Sequence, residues 1–150
     1  MAGSLQAAPI GIRQHNPGNI HGKFPSHWLG ATSTDDYGYL SFDTDEHGLR
    51  ALRINLEFYY FGRHLMTIRQ IAKRWVRKPR NAEQRAALES YIQGFAQRVK
   101  VRADARLWLE DRRMLEKVGE GIVWVEQGED PYPKALYRQV FEFSADEVAR

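Results

Sequence analysis

From Leu49 onward the apolar positions fall at helical spacing, and before Leu49 they do not. Leu49, Leu52, Leu56, Tyr59 and Tyr60 repeat every three or four residues, which predicts one face of an amphipathic helix. Thr44 is placed to cap it, with Asp45 and Glu46 in the first turn, where the helix dipole favours negative charge. The pattern stops near Gly62. Thr67 opens a second helix carrying Ile68, Ile71, Ala72 and Trp75, which ends before Pro79. Asn81 opens a third, with Ala86, Leu88, Tyr91, Ile92, Phe95 and Val99 as its stripe. Asp104 is read as the cap of a fourth, through Leu107, Trp108 and Leu109 to Met114 and Leu115, with Gly119 and Gly121 ending or interrupting it. Ile122 to Gln127 extends that helix or forms its own, and a last short helix spans Lys134 to Phe143.

The first third follows another rule. Tyr37 to Phe42 alternates crudely and is aromatic, so Ala31–Thr34 and Tyr37–Phe42 are expected to pair as a hairpin turning at Asp35-Asp36. Ahead of it lies Gly11-Ile12-Arg13-Gln14-His15-Asn16-Pro17-Gly18-Asn19-Ile20. Pro17 fixes its own φ and lacks a donor, and Gly18 supplies a position free to take positive φ. Asn16 and Asn19 can bond local backbone, so Asn-Pro-Gly-Asn is a tight polar turn pinned by Ile12 and Ile20. It is a structural corner or the rim of a site. The expected fold is α+β and mainly helical, with a small N-terminal β-hairpin and four to six helices. Residues 1–10 read as a flexible lead-in, 11–143 as one domain and 144–150 as a polar tail.

Composition narrows the function classes. The 150 residues are enough for one domain with a real core. The formal net charge of +3 is too mild to demand nucleic acid, yet suits a partner with dispersed negative charge such as a cell-wall polymer. There is no cysteine, so disulfides and thiolate metal sites are excluded. No apolar run reaches the ~18 residues of a membrane span, and Met1 to Pro9 does not read as a secretory signal. No nucleophile elbow, P-loop or dinucleotide fingerprint occurs. His15, His21 and His27 recur every six residues, but no helical histidine pair suggests a metal, and neither a metal nor a cofactor is expected.

The remaining chemistry is carboxylate chemistry. Asp35, Asp36, Asp43, Asp45 and Glu46 crowd the hairpin and the first helix entrance. Cleaving a glycosidic bond needs a carboxylic acid to protonate the leaving oxygen, and a second carboxylate can activate water or support charge. Glu46 is the first candidate for the acid; the plain reading is a dipole partner at a helix start. Trp28 is either a plug for its loop or a stacking surface for a sugar or base. Arg69, Lys73, Arg74, Arg77, Lys78 and Arg80 form a basic run, a solvated face or a docking patch for an anionic polymer or partner.

Read together, Gly11-Ile12-Arg13, Asn16-Pro17-Gly18-Asn19-Ile20, Trp28-x-Gly30, Tyr39-x-x-Phe42, Glu46-x-Gly48-Leu49-Arg50-Ala51-Leu52, Thr67-Ile68, Arg74-Trp75 and Tyr91-Ile92 occur in an order that resembles a family of phage and prophage virion-associated proteins. The family signature is Gly-Ile-Arg-Asn-Asn-Asn-Pro-Gly-Asn-Ile, and the resemblance covers about residues 10 to 101. Members are labelled phage structural proteins or virion-associated muralytic proteins. The same order is distantly similar to lysozyme-like glucosaminidases and lytic transglycosylases. In that superfamily the catalytic Glu usually lies upstream of the Asn-rich stretch; here no Glu lies there. The family also tends to have Ala-Pro-Pro and an acidic residue where this chain has the basic run Val76-Arg77-Lys78-Pro79-Arg80 before Asn81.

The resemblance implies a lysozyme-like domain that cleaves the glycan strand of peptidoglycan as a muramidase or lytic transglycosylase. Glu46 is then the expected acid/base, supported by Asp36 or Asp43, and Arg13, His15, Asn16, Asn19, Trp28 and Tyr39 are expected to line the sugar groove. Peptidoglycan is the implied partner, along with other virion or delivery-machine proteins. The implied location is the virion, or the bacterial periplasm after delivery. A non-enzymatic virion or wall-binding protein and a secreted antibacterial effector are the alternatives.

Overall fold

Thirteen residues of one helix, Asp45–Glu57, pack against the strand Leu40–Phe42, the turn Phe58–Gly62 and the helices Arg112–Gln127 and Lys134–Phe141. The computed structural model describes residues 8–142. Among these, six helices and one hairpin follow in the order α1 (Ile10–Arg13), β1 (Ala31–Thr34), β2 (Leu40–Phe42), α2 (Asp45–Glu57), α3 (Ile68–Trp75), α4 (Ala82–Val99), α5 (Arg112–Gln127) and α6 (Lys134–Phe141). The fold is α+β and mainly helical. Phe143 and the polar tail lie outside the described residues, as do the first seven residues of the lead-in.

Three expected caps are in place. The side chains of Thr44, Thr67 and Asn81 accept from the backbone N–H of His47, Gln70 and Gln84 respectively. Leu49, Leu52 and Leu56 of α2 are fully buried, together with Ile68 and Ile71 of α3, Ile92 and Phe95 of α4, Leu115, Val118 and Ile122 of α5 and Tyr137 of α6. Each such side chain contributes roughly 1.5–3 kcal/mol by leaving water. Beyond Glu57 the helix widens into a π-helical turn over Phe58–Gly62, which brings Tyr60 into the core and its hydroxyl onto the carbonyl of Leu107 at 3.0 Å. Arg53, fully buried, donates to the buried Glu57 at 2.8 Å, and Arg112 donates to the other Glu57 oxygen at 3.1 Å.

The fourth expected helix begins later than its sequence suggested. Asp111 caps α5, and Asp104 instead accepts from the Nε of Arg69. Gly119 and Gly121 do not end α5; they let other helices approach it. A Cβ on Gly119 would fall 2.5 Å from the Phe141 ring, and one on Gly121 2.8 Å from a Val99 methyl and 3.0 Å from the Phe95 ring. Close packing of antiparallel α4 and α5 fixes their register, so Tyr91 lies beside the last turn of α5.

In the hairpin β1 pairs with β2, Ala31 opposite Phe42 and Thr34 opposite Leu40, with an irregularity between Ala31 and Ser33. Strand β2 starts at Leu40 rather than Tyr37, because Asp35 accepts from the N–H groups of both Tyr37 and Tyr39 and holds those residues in the turn. Ile20, Leu40, Phe42 and Ala51 form a small second core, with Trp28 packed against it.

Candidate functional site

The Asn-Pro-Gly-Asn turn is a corner on its inner side and a rim on its outer side. Asn16 is the inner side, at 0% exposure. Its Nδ2 donates to the carbonyls of Ile20 at 3.0 Å and Leu40 at 2.7 Å, and its Oδ1 accepts from the N–H of Ile20 at 2.9 Å. A side chain so enclosed holds the turn to β2 and does not line a groove. Positive φ falls on His15 (54°) and Asn19 (50°), not on Gly18. Gly18 is needed for closeness: Leu52 and Trp75 stand 3.2 Å from where its Cβ would be, and Trp75 Nε1 donates to its carbonyl at 2.8 Å.

Asn19 is the outer side. Its Nδ2 donates to Glu126 Oε1 at 2.7 Å, and its Oδ1 accepts from Gln127 Nε2, which also donates to the carbonyl of Pro17. The hydroxyl of Tyr91 donates to the other oxygen, Glu126 Oε2, at 2.5 Å. Glu126 is half-buried and sits in the last turn of α5, where the helix dipole disfavours an anion. Burial pushes its carboxyl above the usual glutamate range, opposed by the hydrogen bonds from Tyr91 and Asn19. Burial and the neighbouring carboxylate push the Tyr91 phenol up in turn, so it stays a donor.

Glu126 borders a groove of about 360 Å³ lined also by Asn19, His21, Tyr37, Tyr39, Trp75, Val76 and Arg77. A second hollow, of about 430 Å³, shares Asn19, His21, Trp75, Val76 and Arg77 with it and runs on to Trp28, Asn55, Tyr59 and Arg74. The shared walls make one cleft, of a size suited to a ligand of a few rings. Aromatic faces line it: the rings of His21 and Tyr39 lie 4.2 Å apart, and Trp75 meets Tyr59 edge-on at 5.6 Å. Its cations are Arg74, whose guanidinium lies 5.9 Å over Tyr59, and Arg77. Glu126 is the single carboxylate among these lining residues.

The expected site residues divide cleanly. Asn19, Trp28 and Tyr39 line the cleft. Arg13 does not; it is exposed and donates from Nε to the carbonyl of Ala8 at 3.0 Å. His15 ties the corner to the start of α2 through Asp45, with Nδ1 and Oδ1 2.6 Å apart, and its carbonyl presses against Gly48. The three expected catalytic carboxylates are elsewhere. Asp36 is exposed at the hairpin turn. Asp43 lies 2.6 Å from His47 Nδ1, and that hydrogen bond lowers its pKa. Glu46 accepts from Gln139 of α6 at 3.3 Å. None of the three is among the residues that line the cleft.

The group this reading of the sequence passed over is Glu126, with its partner Tyr91. Its one local signal was a carboxylate in a helix's last turn, just before the capping Gly128, where electrostatics alone would not put it. Among the described residues no three His, Asp or Glu side chains converge as a metal site would need. No helix of the described residues is long and apolar enough to cross a membrane. No family model matches the chain, and no curated protein matches it.

Proposed function

We propose that the chain cleaves the glycan strand of peptidoglycan, as a muramidase or lytic transglycosylase, with Glu126 as the general acid. The observation that carries this reading is one half-buried carboxyl with a raised pKa on the wall of an aromatic-lined cleft. A general acid must still hold its proton near working pH, and burial at a helix C-terminus favours that. Asn19 and Tyr91 each occupy one lone-pair direction of the carboxylate. In the step, the Glu126 proton passes to the glycosidic oxygen as the bond from the anomeric carbon to that oxygen breaks. The carboxylate left behind is held by the same two donors.

Glu126 is the one carboxylate among the cleft's lining residues. That favours attack on the anomeric carbon by the sugar's own hydroxyl, whose proton returns to the Glu126 carboxylate as the new carbon–oxygen bond forms, over attack by water positioned by a second carboxylate. Trp28, Tyr39 and Trp75 supply faces for sugar rings. The protein would reach its substrate by delivery, from a virion or a comparable machine.

A second reading, a wall-binding protein without catalysis, is favoured by one feature. Both oxygens of Glu126 accept from protein donors, as in a purely structural tie between turn and helix. Incubation with purified sacculi separates the two. The expected result is release of soluble muropeptides with anhydro ends by the wild type and none by Glu126→Gln. Binding to sacculi without any soluble product would establish the second reading instead.

A further inference from the structure

A third groove, of about 280 Å³, opens from the cleft at Val76 and Arg77, two residues that line all three hollows. Its other walls are Lys78, Pro79, Gln84, Ala87, Leu88 and Tyr91. Its surface is mostly apolar, given by Val76, Pro79, Ala87 and Leu88, and no carboxylate lines it. Arg77 and Lys78 are exposed at its edge. Tyr91 forms its inner end and reaches through to Glu126. The basic run is therefore not one uniform face. Arg69 is spent on Glu89 and Asp104, while Arg77 stands at the junction of the grooves.

We infer that this side groove takes the carboxylate-bearing peptide branch of a peptidoglycan strand whose sugars lie in the main cleft, with Arg77 holding a carboxylate of the branch. The inference rests on the glycan reading of the cleft. Two observations choose the occupant. The groove adjoins the cleft through Val76 and Arg77, so a branch of the ligand in the cleft can reach it. Its apolar floor with a cationic, acid-free rim complements a short peptide of small apolar residues and free carboxylates. A neutral, unbranched amino-sugar polymer would leave both features unused.

The test is binding, measured with soluble uncrosslinked glycan strands that keep their peptides and with the same strands stripped by an amidase. Tryptophan fluorescence reports occupancy, and the measurement is repeated in Glu126→Gln so that cleavage does not deplete the ligand. Wild-type protein is expected to prefer the peptide-bearing strands by at least about tenfold, the scale of one charge-assisted contact. Arg77→Gln and, independently, Ala87→Trp, which fills the groove from an exposed position, are each expected to reduce that preference below about threefold with unchanged circular dichroism. Equal affinity for both strands, or a preference that survives both substitutions, overturns the inference while leaving cleavage of the glycan untouched. Absence of cleavage with the preference intact removes only the catalytic reading, and failure to bind either strand removes both.

Discussion

Carboxylates stand at the entrance of one helix and at the exit of another, both beside the Asn-Pro-Gly-Asn turn, and the two helix ends treat them oppositely. At the entrance of α2, Asp43, Asp45 and Glu46 meet the positive end of a helix dipole, and Asp43 and Asp45 have histidines 2.6 Å away. That end favours anions, and the hydrogen bond from His47 holds Asp43 below the usual carboxylate range. At the exit of α5, Glu126 meets the negative end, with helix α4 over it and the Asn19 turn beside it. Burial there favours the proton. The proposed acid chemistry needs the second setting, however much acidic sequence marks the first.

The largest expected effect sets the two ends directly against each other. Glu126→Gln keeps a side chain of the same shape, and the Tyr91 hydroxyl can turn from donor to acceptor. It is expected to lower muropeptide release by about 10²–10⁴-fold, the usual worth of a general acid, with the fold intact by circular dichroism. Glu46→Gln is expected to stay within about twofold of wild type, since it disturbs one long hydrogen bond to Gln139 and Glu46 is not among the residues that line the cleft. Loss of activity in Glu46→Gln with retention in Glu126→Gln would reverse the assignment of the two ends.

Why one end was legible and the other was not is a matter of range. Thr44, Thr67 and Asn81 act on an N–H three residues away, so cap and periodicity together mark three helix starts in the sequence. Asp104 looks like a cap as much as Asp111 does, and Arg69, 35 residues earlier, decides between them. Gly119 and Gly121 read as breaks because the rings of Phe141 and Phe95 that need their bare backbone come from other helices. Glu126 is the extreme case. Its partners lie 107 and 35 residues away, and the burial that gives it chemical interest exists only once α4 and α5 have packed. The Asn-Pro-Gly-Asn turn was legible as polar and tight, but which asparagine faces inward is fixed by β2 through the carbonyl of Leu40.

A second, smaller effect follows from that inward choice. Asn16→Ala strips the N–H of Ile20 and the carbonyl of Leu40 of their buried partner, in a site without access to water. The expected cost is roughly 2–4 kcal/mol of unfolding free energy, read as a lower urea midpoint with an unchanged slope. Asn19→Ala is expected to cost clearly less stability, because its contacts lie at the rim of the cleft. The pair separates the corner's buried inside from its cleft-facing outside, and equal destabilisation by the two would erase the distinction.

The finest probe is Tyr91→Phe, which removes one donor to Glu126 and leaves the ring in place. The hydrogen bond from Tyr91 favours the charged carboxylate and so opposes the effect of burial. Without it the Glu126 carboxyl should titrate higher still. An acid works while protonated, so the alkaline limb of the activity profile should move to higher pH in Tyr91→Phe, with the acidic limb unchanged. Stability should carry the same sign. A carboxyl whose folded pKa exceeds its unfolded value binds its proton more tightly in the fold, so its contribution is full below the ordinary glutamate pKa and is lost as pH rises through the folded one. Urea unfolding of wild type and Tyr91→Phe should show the loss beginning at the same pH, which the unfolded chain sets, but continuing to higher pH and growing larger in the variant, and Glu126→Gln should remove this part of the slope. A limb that moves to lower pH in Tyr91→Phe would mean that the phenol raises the acid's pKa, and the opposition between the two ends would then need another cause than burial.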